Sequence, residues 1–72
     1  METVREQFAA NLRHHRNHAG LSQEALADIC DLHRTEISLL ERRKRSPSLE
    51  TIVILARGLN LASPAELLEG IR

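Results

Sequence analysis

Aromatic residues are almost absent from this sequence. Of Phe, Tyr and Trp it holds only Phe8, although 42% of its 72 residues are hydrophobic. A β-sheet core draws on aromatic and β-branched residues, whereas Leu, Ile and Ala pack well between helices. The composition therefore predicts an all-α fold. A chain of this length supports one small core, so we assign residues 3–72 to a single domain.

Cysteine and long apolar runs are also scarce. The single cysteine, Cys30, cannot form an internal disulfide, and the sequence has no Cys spacing typical of a metal site. No apolar run approaches the roughly 18 residues that a membrane span requires. The first residues lack the unbroken apolar segment of a signal peptide. These absences predict a cytoplasmic protein that has no membrane partner.

Patterns that would indicate catalysis or metal binding are missing. The sequence shows no Ser–His–Asp order, glycine-rich phosphate loop or matched carboxylate pair. His14, His15 and His18 lie close together, and His14 and His18 would share a helix face. A zinc site needs three or four ligands, however, and no third ligand is clearly placed. We therefore expect neither an enzyme nor a bound metal or cofactor.

Helix caps and apolar spacing predict five short helices. Two capping boxes, Thr-x-x-Glu and Ser-Pro-Ala-Glu, indicate where the first and fifth helices begin. The residues predicted to cap the first, second, fourth and fifth helices are Thr3, Ser22, Ser48 and Ser63, and the third helix is predicted to begin at about His33. The residues predicted to end the first, second and fourth helices in a left-handed conformation are Gly20, Asp31 and Asn60.

Apolar residues at helical spacing predict which side of each helix is buried. The residues expected to face inward in the first four helices are Val4, Phe8, Leu12, Leu26, Ile29, Cys30, Ile37, Leu40, Leu49, Ile52, Leu55, Ala56 and Leu59. Val53, Ile54, Leu68 and Ile71 exceed what one small core can hide, which predicts an apolar surface patch. We assign this patch to a homodimer interface, with a different protein partner as the alternative.

Positive charge is concentrated in one part of the chain. The sequence has zero net charge, yet half of its ten Lys and Arg residues lie between Arg34 and Arg45. A local basic patch attracts a polyanion even when the total charge is zero. The alternative is a solvated run of charge that only keeps the protein soluble.

Residues 20–60, "GLSQEALADICDLHRTEISLLERRKRSPSLETIVILARGLN", resemble the helix-turn-helix of phage-repressor and Cro-type proteins. They are especially similar to restriction–modification controller proteins. The likeness rests on Gly-Leu-Ser-Gln, Leu-Ala, Arg-Thr-x-Ile-Ser, Glu-Arg and Pro-Ser-Leu in that order. It implies a compact five-helix domain with a helix-turn-helix core at 22–42. Two residues depart from the family pattern, because Asp31 replaces the usual turn glycine and His33 replaces the usual cap.

The resemblance implies a homodimeric transcription regulator that binds a near-palindromic site on double-stranded DNA. It assigns base contacts to Arg34, Thr35 and Ser38 of a recognition helix at about 33–42, and a phosphate contact to Gln23. An arginine near the start of such a helix can donate two hydrogen bonds to guanine, worth roughly 1–3 kcal/mol of discrimination. The alternatives are an exposed helix charge for Arg34 and an idle surface amide for Gln23.

The basic run that follows the recognition helix is predicted to contact phosphates. We expect Arg43 to make the main contact, with Arg42 and Lys44 beside it. Such contacts raise the affinity for DNA of any sequence and do not read bases.

Two carboxylates need a separate interpretation. The resemblance pairs Glu41 with Arg16 in a structural ion pair between the first and third helices. Glu36 lies near the predicted DNA side, where it could accept from a cytosine amino group or restrain Arg34. An antitoxin or adaptor that binds a protein partner through the same domain remains the alternative function.

Overall fold

The computed structural model describes residues 3–72 as four α-helices followed by a short 3₁₀ helix. The α-helices are α1 (Val4–His18), α2 (Gln23–Cys30), α3 (Arg34–Glu41) and α4 (Leu49–Gly58), and the 3₁₀ helix is Pro64–Leu68. No strand occurs in this part of the chain. The predicted all-α fold is confirmed.

The fifth predicted helix is present as a 3₁₀ helix and not as an α-helix. Its start is as expected, because Ser63 and Glu66 form a capping box with Pro64 in the first turn. The segment is only five residues long, and the narrower 3₁₀ form is common in pieces of this length. Leu67 is fully buried and attaches this segment to the core.

All four predicted Ser and Thr caps form in the structure. The side chains of Thr3, Ser22, Ser48 and Ser63 each accept a hydrogen bond from a backbone amide in the first turn. His33 makes no side-chain cap, so α3 begins without one. Gly20, Asp31 and Asn60 all have positive φ angles, at 73°, 56° and 57°. The turn residues therefore end their helices in the predicted left-handed conformation.

One apolar core lies between the helices. Its fully buried side chains include Phe8, Leu12, Leu26, Ile37, Leu40, Leu55 and Leu67. Three inward predictions were wrong, because Val4, Ile29 and Leu49 are 59%, 56% and 73% exposed. Val4 and Leu49 are each the first residue of a helix, where the chain extends past the core. Ile29 lies at the edge of the contact between α2 and α4.

The position of α3 depends on its contacts with α1 and α2. Ile37 and Leu40 are buried and anchor its inner side. Asp31 turns the chain sharply between α2 and α3, and the amide of Leu32 donates to the carbonyl of Ala27 at 2.9 Å. Leu32 also packs against the core. The turn and the core together orient the exposed side of α3.

None of the helices within residues 3–72 combines the length and the apolar character that crossing a membrane requires.

Candidate DNA interface

The exposed side of α3 carries the three residues predicted to contact bases. Arg34 and Thr35 are exposed and Ser38 is half-buried, while Ile37 and Leu40 occupy the buried side of the same helix. Positions three and four apart lie on one helix face, so Ser38 is next to both Thr35 and Arg34. The three side chains thus form one short polar stripe that is open to solvent.

The stripe is continuous with the beginning of α2. Arg34 lines a shallow surface hollow together with Ser22, Gln23 and Asp28. The first turn of α2 has unpaired backbone N–H groups, which attract phosphate. Gln23 is half-buried and its amide donates to Glu41 Oε1 at 3.2 Å. One of its two N–H donors is used inside the protein, so at most one remains for a phosphate.

Glu41 is the centre of a hydrogen-bond network at the end of α3. Its side chain is only 1% exposed. Arg16 donates to both carboxylate oxygens, with Nε at 2.6 Å from Oε2 and Nη2 at 2.9 Å from Oε1. Arg16 Nη1 also donates to the carbonyl of Leu21 at 2.8 Å. The structure thus brings together the two residues predicted to form an ion pair, and it adds Gln23 to them.

Two opposing effects act on the Glu41 carboxyl. Burial raises its pKa, and hydrogen bonds from Arg16, Gln23 and Arg13, together with the charge of Arg16, lower it. The hydrogen bonds outweigh the burial, so the pKa lies below its ordinary value. The same hydrogen bond raises the pKa of Arg16. Both groups therefore stay charged, and the pair links α1 to α3.

Sequence reasoning missed Arg13, which also binds the end of α3. Its Nη2 donates to the backbone carbonyl of Glu41 at 3.1 Å, and its Nε lies 3.5 Å from Glu41 Oε1. Arg13 is one turn before Arg16 on the same face of α1, and that spacing could have indicated it. A hydrogen bond to a backbone carbonyl, however, cannot be predicted from residue types, because every residue has such a carbonyl.

The basic loop begins where α3 ends. The amide of Arg43 donates to Leu40 O at 3.2 Å and the amide of Lys44 to Leu39 O at 2.9 Å. This pair of hydrogen bonds is a Schellman motif, which requires one residue in the left-handed conformation. That residue is Arg43, whose φ angle is 63°. Glycine is the usual residue there, because a side chain is strained at positive φ. Arg42, Arg43 and Lys44 are all exposed.

Arg5 ties the basic loop to α1. Its Nε donates to Ser46 Oγ at 2.9 Å, across 41 residues of sequence. The predicted phosphate residues are therefore held against the domain beside α3. Arg5 was not among the predicted site residues.

Glu36 makes no ion pair with Arg34 in the described chain. It lines a surface hollow with Arg45, Pro47 and Thr51 at the beginning of α4. Restraint of Arg34, one of the two roles considered for Glu36, is thus not present in this conformation.

Comparison with known proteins settles the family. The family model described as Helix-turn-helix (HTH_3) matches residues 12–67. This chain belongs to that helix-turn-helix family. A relative found by sequence is the control protein C.SmaI of Serratia marcescens, 48% identical over 61 residues that cover 85% of this chain and 73% of that protein.

Solved structures agree with this assignment. The restriction-modification controller protein C.AhdI of Aeromonas hydrophila matches with a TM-score of 0.83 and 40% identity, over 88% of this chain and 94% of that one. The hypothetical transcription factor NHTF from Neisseria matches with a TM-score of 0.87 and 36% identity, over 92% of this chain and 75% of that one. In the sequence comparison, this chain covers 58% of the length of the Neisseria meningitidis protein. The predicted resemblance to controller proteins is confirmed.

Of the four apolar residues predicted to form a dimer interface, three lie on two packed elements of this helix-turn-helix protein, and Ile71 follows the second of them. Val53 and Ile54 belong to α4, which packs against the 3₁₀ helix that carries Leu68. Leu68 is 38% exposed. Ile54 and Ile71 are half-buried, because each packs partly against the core of its own chain. Each of the four keeps some apolar surface open to solvent.

The three histidines lie together near the end of α1. The ring of His14 stacks on that of His18 with centroids 6.1 Å apart, and meets His15 edge-on at 5.3 Å. Within residues 3–72 no three potential ligands come close enough to hold a metal ion.

Proposed function

We propose that this helix-turn-helix protein is a sequence-specific regulator of transcription that binds double-stranded DNA as a homodimer. The observation that carries the proposal is the geometry of α3, which exposes Arg34 and Thr35 while Ile37 and Leu40 fix its other side in the core. An α-helix fits the major groove of B-DNA. Arg34 then meets guanine, and the methyl group of Thr35 meets thymine.

Phosphate contacts position the recognition helix on the duplex. Gln23, at the beginning of α2, and the loop residues Arg42, Arg43 and Lys44 lie on either side of α3 in the chain. They bind backbone phosphates and so fix the orientation of α3 without reading bases. Arg16 and Glu41 have a structural role, because their ion pair holds α1 and α3 in register.

A homodimer explains how so small a domain reaches useful affinity. Two copies joined through Val53, Ile54, Leu68 and Ile71 place two recognition helices on one face of the duplex. Their half-sites are then one helical turn apart, about 34 Å, on a near-palindromic operator. This role belongs in the cytoplasm and requires neither catalysis nor a cofactor.

Selection of bound duplexes from a random pool tests the proposal directly. We expect two symmetric half-sites whose centres are about one turn apart. Recovery of unrelated sequences, or of none, would contradict sequence-specific binding.

Replacing Arg34 by alanine tests the base-reading role. We expect Arg34→Ala to lose the preference for the selected duplex over a random one, a change of about 1–3 kcal/mol, and to keep general binding. Arg57→Ala is the matched control, because it removes one exposed charge from α4, away from α3. Equal loss on selected and random duplexes would show that Arg34 does not read bases.

A second candidate function is that of an antitoxin or adaptor that binds a different protein. The apolar patch of Val53, Ile54, Leu68 and Ile71 favours it, because a different protein that covered this patch would take the place of the second copy. Light scattering on the pure protein separates the two functions. A stable dimer supports the first, whereas a monomer or an aggregating species supports the second.

A further inference from the structure

A basic cleft separates α1 from the loop that follows α3. Arg43 lines both halves of this cleft. Arg5 and Ser46 line one half, and Arg13 and Lys44 line the other. The cationic residues of the basic cleft are Arg5, Arg13, Arg42, Arg43 and Lys44.

The carboxylates of the basic cleft neutralise only part of its positive charge, because two carboxylates face five cations. Two line the cleft, Glu6 and Glu41. Glu6 accepts from the backbone amide of Thr3 at 3.3 Å in the capping box of α1. Glu41 is buried and bonded to Arg16, and among the cleft cations it forms an ion pair with Arg13. The cleft therefore presents an excess of positive charge to solvent, in a place where α1 and the loop meet.

Two of the cations are already held by the protein. Arg13 is fixed by the Glu41 carbonyl, yet its side chain is 56% exposed, so several of its five N–H donors are open to an anion. Arg5 is held by Ser46 and is also exposed. A guanidinium that is held in one position loses less freedom when it binds a phosphate.

The third cation, Arg43, occupies a strained position. It stands where a Schellman motif favours glycine, so an arginine there makes the fold less stable than glycine would. Strained backbone positions of this kind cluster at active sites and at sites that hold a ligand. Here the side chain lies between two groups of cations, where it adds to their positive potential.

Resting on the DNA-binding function proposed above, we propose that the basic cleft binds the phosphate backbone of DNA through Arg5 and Arg13 of α1 together with Arg43. On this model α1 contacts DNA directly, although it carries none of the residues that read bases. The cleft adds affinity for any sequence and leaves the choice of bases to α3.

The first test compares Arg5→Ala with Ser46→Ala. Both changes remove the hydrogen bond between the two side chains, but only Arg5→Ala removes a charge. Dissociation constants are measured at several salt concentrations on the selected duplex and on a random one. We expect Arg5→Ala to weaken both several-fold and to reduce the salt slope by about 0.9 per protomer. Ser46→Ala should leave the slope unchanged.

The second test separates the charge of Arg43 from its backbone strain. Arg43→Gly and Arg43→Ala both remove the charge, and we expect both to reduce the salt slope equally, by about 0.9 per protomer. Only glycine relieves the positive φ, so Arg43→Gly should melt at a higher temperature than the natural protein and Arg43→Ala should not. Arg57→Ala controls for the loss of a charge elsewhere.

Two results would overturn the proposal. Either Arg5→Ala and Ser46→Ala change binding equally, which makes Arg5 only a brace for the loop, or the salt slope is the same in all the cleft variants and in the natural protein. Both results still allow sequence-specific binding through α3. Failure of the natural protein to bind any duplex would instead refute the DNA-binding function itself.

Discussion

Glu41 lies almost completely buried at the end of α3, where a charged carboxylate is tolerated because three side chains donate to it. The two bonds from Arg16 are short and parallel, which is the strongest geometry available to an ion pair. Arg13 is more than half exposed, and solvent screens its contribution. Removing Arg16 should therefore lower the free energy of unfolding more than removing Arg13 does.

We expect Arg16→Ala to lower the free energy of unfolding by about 3–5 kcal/mol, because it strands a buried carboxylate. Arg13→Ala is the matched control and should cost below about 1 kcal/mol. Urea unfolding followed by circular dichroism measures both. Equal losses would mean that Glu41 does not depend on Arg16 for its charge.

The lowered pKa of Glu41 makes this stabilisation depend on pH. In the unfolded chain the Glu41 carboxyl has its ordinary pKa of 4.5, and in the folded chain its pKa is lower. The stabilisation is therefore complete above about pH 5 and is lost as the pH falls through the folded value. We expect the difference in unfolding free energy between the natural protein and Glu41→Gln to shrink below about pH 4.5. A difference that stays constant at lower pH would argue against a charged pair.

At the scale of whole elements, Gly58 sets how closely α4 approaches α2. A Cβ atom at Gly58 would collide with Cys30 Sγ. Gly58→Ala should therefore lower stability by about 1–3 kcal/mol, although alanine is the better helix former by about 1 kcal/mol. In a Cys30→Ala background the same change should be neutral or stabilising. An equal loss of stability in both backgrounds would show that the clash with Cys30 Sγ is not the cause.

What could be predicted at this scale depended on how local each interaction is. The caps at Thr3 and Ser22 were readable because each side chain bonds to its own first turn. The burial of Val4 was predicted wrongly, since whether a first turn is covered depends on elements distant in sequence. The link from Arg13 to a backbone carbonyl and the left-handed φ of Arg43 likewise required the fold. Within the site, residue types indicated the stripe on α3, whereas the hydrogen bond from Arg5 of α1 to Ser46 of the loop became visible only in the folded structure.

For the molecule as a whole, we expect the proposed dimer to depend on the patch shared by α4 and the 3₁₀ helix. Leu68→Lys should raise the fraction of monomer, because it buries a charge in an apolar interface. Ile29→Lys is the matched control, since Ile29 is an exposed apolar residue outside the predicted patch. Sedimentation velocity measures both variants. The patch would be rejected as the interface if Leu68→Lys dimerises as the natural protein does.

Because Glu41 accepts hydrogen bonds from α1 and from α2 while it closes α3, three helices are locked together before any duplex arrives. The conformational entropy of aligning the reading surface is thus lost during folding and not during association. Recognition can then proceed as a near-rigid docking, in which adjustment falls to the duplex and to the long cationic side chains.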